Sequence, residues 1–273
     1  MHKLAYYLNK VCSTTTMKQH YIIIFLFLFL FCAPILSVAQ FGLPAGFELK
    51  NFQENENEAF YFLQYDSAYL RVSQYETIAT YKDHICYADK RGWKVIVGTV
   101  DSSGFKQANY YHVDYKGIVT AAKKKFDTIQ VAALGRALFN ANLSMQKLNN
   151  NASSWKIFSK IKIDMTISII AFPAEDADGN IWYGPEFAQY YSIDGRQTIS
   201  TKIVNKVPTV ASRSKEELTI ICTAEKTPPI GIIWLAHRYK LDYNIINVTY
   251  KAGASSLHFD HATKTYAWEH IAK

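Results

Sequence analysis

The chain has 273 residues, of which 49% are hydrophobic and 19% charged, and it carries a formal net charge of +7. That apolar fraction excludes a disordered chain, and four cysteines are too few for a disulfide-built scaffold. The positive charge is no argument for nucleic acid, because Lys3, Lys10 and Lys18 all precede or open the first apolar run.

Residues 17–40 read as a secretory signal, bacterial in style. Lys18 opens it, an apolar run extends from Tyr21 to Leu36, and Ser37 and Ala39 stand at the −3 and −1 positions of a cut before Gln40. As a helix the run spans about 24 Å, short of the ~30 Å hydrocarbon core. The rival reading is an uncut N-terminal anchor, in which case the leader is the protein's contact with the membrane. The lysines without acids hold the N-terminus in the cytoplasm. Met17 is a second candidate start. A lipidated Cys32 is disfavoured by the bulky Phe31 before it. The expectation is a leader over 1–39 and one exported domain over 40–273, placed in the periplasm, on the surface or in the medium. Without the leader's three lysines, 27 basic side chains face 23 acidic ones, a net charge of +4. Such a length buries roughly 70% of its unfolded surface.

Cys12 and Cys32 leave with the leader. Cys86 and Cys222 remain, and in an oxidising compartment they suggest one disulfide. Its long loop would contribute about 4–5 kcal/mol in the chain-entropy model. The alternative is two buried thiols. No Cys-x-x-Cys motif points to metal or redox chemistry.

Residues 40–57 are polar and read as an entry segment. Tyr61, Tyr65 and Tyr69 recur every four residues, which predicts a helix from Glu58 to about Asp89. Arg91-Gly92 ends it, and Trp93–Val97 is a strand. Tyr110–Asp114 and Ile118–Thr120 flank Gly117, a hairpin. Lys123–Lys125 is a solvated basic run. Val131, Leu134, Leu138, Ala141, Met145 and Leu148 form one apolar stripe, a helix over 127–148 capped by Asp127 with Gln130 and ended by Asn149–Asn151.

Ile161, Ile163, Met165, Ile167, Ile169 and Ala171 alternate with polar residues, predicting a strand with one wet face. Asp178-Gly179 and Asp194-Gly195 mark hairpin turns, which makes a three-stranded meander through 204. Lys206–Arg213 is a linker, and Ser214–Glu217 is a capping box opening a short helix to Cys222. Ile230–Lys240 is helix or buried strand. Short strands over Asn244–Tyr250, Leu257–Asp260 and Thr265–Trp268 close the chain. Tyr110–Asp114 and Tyr190–Asp194 echo each other, with His258–Asp260 a fainter third copy. The fold class is α+β, antiparallel sheets with helices packed on one face, with a loose helix-plus-hairpin repeat dividing near residue 125.

Catalytic signatures are absent: no Gly-x-Ser-x-Gly, His-Glu-x-x-His, phosphate-binding loop or Gly-x-Gly-x-x-Gly occurs. Glu175–Asn180 resembles a calcium loop but lacks acids at its first and twelfth positions and reads as a polar turn. His258, Asp260 and His261 are the densest set of candidate metal ligands, of a type that suits zinc or iron. An exposed polar turn explains them as well. His112 with Asp114 is a weaker pair, and His237 reads as a packed residue. The sequons at Asn142, Asn151 and Asn247 read as fortuitous. Nineteen tyrosines suit a binding surface or simply strand propensity. No cofactor and no nucleic acid is implied. The expected function is an exported, non-enzymatic module binding a macromolecule or small ligand outside the cytoplasm. A secreted hydrolase, metal-assisted at His258, Asp260 and His261, and a structural subunit of a surface assembly are the alternatives.

Overall fold

Helix and strand periods divide the chain into three runs, each a helix followed by antiparallel strands. The computed structural model describes residue 43 and residues 46–75, 83–122, 126–147, 155–173, 176, 178–224 and 226–272. The leader with its alternative start, the Lys123–Lys125 run and Asn149–Asn151 lie outside the described residues. Among the described residues no helix is long and apolar enough to cross a membrane.

Helix α1 (Leu49–Tyr75) buries Phe52, Ala59, Phe62, Tyr65, Ala68 and Val72 along one stripe. It begins before the expected start because Asn51–Asn57 is polar for a tertiary reason. Asn55 donates to the Pro228 carbonyl at 3.1 Å, and Glu56 lies 3.1 Å from His237. The expected helix through Asp89 ends early, and β1 (Asp83–Asp89) takes its place. β1, β2 (Gly92–Asp101), β3 (Gly104–Asp114) and β4 (Val119–Ala121) form an antiparallel sheet in that order. Gly117 turns the last hairpin at φ +82°.

Helix α2 (Thr128–Gln146) starts where the Asp127 carboxylate accepts the amides of Ile129 and Gln130 at 3.0 and 3.2 Å. The next sheet has the order β5-β6-β8-β9, all antiparallel: β5 (Trp155–Ile161), β6 (Ile167–Pro173), β8 (Glu186–Tyr191) and β9 (Thr198–Val204). The single strand expected over 161–171 is instead the β5–β6 hairpin. Asp164 accepts from Thr166 at its tip, Met165 sits at φ +63°, and Ile163 is fully exposed. β6 is buried on both faces, not one. Short β7 (Trp182–Tyr183) leaves the sheet to pair with β10 (Thr209–Val210).

The third sheet follows the order β11-β12-β13-β14-β15: β11 (Ser212–Arg213), β12 (Glu217–Ile221), β13 (Ile245–Tyr250), β14 (Gly253–Asp260) and β15 (Thr265–Ala272). The helix expected over 214–222 is β12. Ser214 Oγ does accept the Glu217 amide at 3.1 Å, but Leu218 and Ile220 are buried between exposed Glu217 and Ile221, a period of two. β12 pairs parallel to β13, which requires a crossover, and α3 (Ile230–Tyr239) provides it.

One core cluster places α2 against Ile85 and Ile96 of the first sheet and Ile167, Ile169, Phe187 and Tyr191 of the second. The other places α1 and α3 against the opposite faces, at Val95, Val97, Tyr111, Phe158, Ile170 and Phe172, and against Leu218, Ile246, Val248 and Leu257 of the third sheet. β1 lies beside β5. The two edges do not form a ladder. The Tyr65 hydroxyl, from α1, sits in the seam between the His84 carbonyl and Ser159 Oγ, 3.4 Å from each. The structure has the expected α+β class.

Candidate functional site

Alternate residues of a strand share a face, so Glu186, Ala188 and Tyr190 of β8 project together beside Ile170 of β6 and Lys202 and Val204 of β9. That face floors an open cleft of about 740 Å³, a size that suits a small-molecule site. The start of α1 forms one wall through Glu48, Asn51 and Asn55. The β12–α3 connection forms another through Thr223, Ala224, Lys226 and Pro229. An ion pair between Lys226 and Glu48 joins the two walls at the surface.

Two polar groups stand at the buried end. Glu186 Oε2 accepts the Gly231 amide at 2.6 Å, so this carboxyl caps the N-terminus of α3, where Pro229 offers no side-chain cap. Burial pushes its pKa up to about 7, against the opposing pull of the Gly231 amide and the Lys202 charge. The other is Asn205, 6% exposed, in the left-handed region at φ +49° that asparagine tolerates. Its Oδ1 accepts both the amide and the hydroxyl of Thr223, each at 2.9 Å. The backbone donor fixes which end of the amide is oxygen. Its Nδ2 is buried with no hydrogen-bond partner among the described residues. A buried donor left without an acceptor is costly.

The candidate metal ligands are not gathered. The Asp260 carboxylate accepts from the Ala262 amide and the Thr263 hydroxyl, both at 2.8 Å, and the His261 ring leans on Phe259, 5.2 Å between centroids. His258 lies opposite Ala267 in the β14–β15 ladder. Among the described residues no three His, Cys, Asp or Glu side chains are arranged to hold a metal ion. Asp114 accepts the amides of Lys116 and Ile118 in its turn, and the His112 ring lies 4.9 Å from that of Phe126. His237 is buried, with Nε2 near Glu56 and accepting from Trp268 Nε1 at 3.3 Å. Asp176, in the calcium-like stretch, collects four donors: the Asp178 and Asn180 amides, Asn180 Nδ2 and Trp182 Nε1.

The disulfide expected between Cys86 and Cys222 is not formed, and both residues are buried thiols. They belong to different neighbourhoods. Cys86 on β1 faces Asp66, Tyr61 and Tyr65 of α1, and Cys222 after β12 lies near Tyr183 and Tyr250. Of the sequon asparagines, Asn142 bonds Asp83 at 3.3 Å and Asn247 bonds Glu217 at 2.7 Å, and Asn151 lies outside the described residues.

Sequence reasoning missed the cleft. Its one local signal was Glu186, an acid inside the apolar stretch from Ile181 to Tyr191. Compared with protein-family models, with curated proteins and with solved structures, the chain matches none.

Proposed function

We propose that the protein is an exported, non-enzymatic binding module and that the cleft over β8 and β9 holds a small ligand or the end of a larger one. The observation that carries this reading is the buried end of the cleft, where the Asn205 amide has a donor and no acceptor. The leader supports export. Glu186 could serve acid–base chemistry with a pKa of about 7. Its Oε2 is bound to the α3 amide, however, and that position suits a capping group better than a proton shuttle.

The test is a crystallographic screen with a mixed library of small polar fragments, together with the mass of the protein recovered from the exported fraction. Fragments concentrating between Tyr190, Lys202 and Asn205, on a chain beginning at Gln40, support the reading. Fragments scattered over the surface with the cleft empty refute the site. Retention in the cytoplasm refutes export.

A further inference from the structure

The lysines of the cleft are unevenly matched. Lys226 is paired with Glu48. Lys202 and Lys206 are exposed and make no ion pair among the described residues, although both line the cleft. Glu186 feels the Lys202 charge, but its Oε2 is engaged by the Gly231 amide. The lining therefore offers two cations to a visitor, with Tyr190, Ile170 and Ala188 beside them, and the unpartnered Asn205 Nδ2 is buried within that lining.

We infer that the ligand group received at the inner end of this cleft is a carboxylate, held by Lys202 and the Asn205 amide. This rests on the cleft being the binding site. A charge-assisted contact to Lys202 is stronger than one to a neutral acceptor. A monoanion fits better than a phosphate dianion, because each added negative charge is repelled by Glu186. The charged and titratable groups facing Glu186 are Lys202 on β9, Tyr190 on its own strand and the amides opening α3. From β6 the neighbours that line the same cavities are Ile170, Phe172 and Pro173, none of them charged. A bound anion favours protonated Glu186, so affinity is highest below its pKa of about 7 and falls as pH rises through it.

The experiment is a titration of the purified protein with sodium acetate, followed by the side-chain amide of Asn205 and the ammonium of Lys202 in NMR spectra. Sodium chloride at equal ionic strength, methyl acetate and inorganic phosphate are run in parallel. Acetate is expected to give a saturable shift of both groups below about 0.1 M, with chloride and methyl acetate much weaker. Lys202→Gln should weaken acetate about fivefold or more, the loss of one charge-assisted contact. Asn205→Asp keeps the acceptor for Thr223, exchanges the donor for a like charge and should abolish binding. The acetate affinity should drop between pH 6 and pH 8 (about one unit on either side of the Glu186 pKa), and Glu186→Gln should flatten that dependence. Tighter phosphate than acetate, or equal shifts with methyl acetate, overturns the carboxylate while leaving the cleft as a site. No response of the cleft to any of the four probes overturns the carboxylate, and an empty cleft in the fragment screen separately overturns the site.

Discussion

Glu186 holds two roles that pull in opposite directions. Its oxygen completes the hydrogen bonding of α3, yet burial disfavours the charge that would make it the better cap. Its folded pKa lies above the ordinary 4.5, so the stability it contributes is fully present below the unfolded value and is lost as pH rises through about 7. Glu186→Gln removes that titration. The variant should gain about 2 kcal/mol or slightly more relative to the parent between pH 5 and pH 8. Urea melts at both values measure it, and a pH-independent difference would contradict the burial argument. A second test at this scale concerns the thiols. Burial pushes the Cys86 thiol well above its usual pKa, and both cysteines are nearly inaccessible. Native protein should therefore react slowly with a disulfide reagent, and the unreduced, denatured chain from Gln40 onward should titrate two thiols. Finding none would restore the bond.

The hairpin β5–β6 turns on a residue poorly suited to its place. Met165 adopts φ +63° while 60% exposed, where a β-carbon costs about 1–2 kcal/mol and little side-chain burial offsets it. Met165→Gly relieves that strain but adds freedom to the unfolded chain, for a net gain of about 0.5–1 kcal/mol. A thermal melt showing a lower Tm would mean the side chain packs in a way its exposure conceals. The same hairpin shows why some elements were legible and others not. Alternation across 161–171 survives the reversal at 162–166 in phase, because Ile161 and Ile167 keep the same parity, so period alone does not see the turn. α2 was legible since its stripe and its Asp127 cap agree. β12 was not, since Ser214 makes the local turn of a capping box while the parallel partner β13 dictates strand. The start of α1 was hidden because its polar residues meet partners more than 170 positions away. The cleft was illegible for the same reason, as Asn205 and Glu186 gain meaning only from Thr223 and Gly231.

At the scale of the molecule, the first two runs share an order of a helix followed by an antiparallel sheet, and their helices take different sides. Tyr111 packs on the α1 side of the first sheet and Tyr191 on the α2 side of the second, so each echoed tyrosine faces the helix of its own run. The helices thus lie on opposite sides of the paired sheets. α1 then serves all three sheets. Phe62 stacks on Phe158 of β5 at 4.6 Å, Asp66 pairs with Lys156 of β5 at 2.8 Å, and Phe52 meets Trp268 of β15 edge-on at 5.4 Å. A core threaded this way predicts that the three sheets melt together. Phe62→Ala should cost about 3–5 kcal/mol, a large share of the ~5–15 kcal/mol typical of a whole domain. Hydrogen exchange should then show β2, β6 and β13 losing protection together, in one transition. If β13 and its neighbours keep their protection while the first two sheets open, the third sheet is a separate cooperative unit, and α1 merely rests against it.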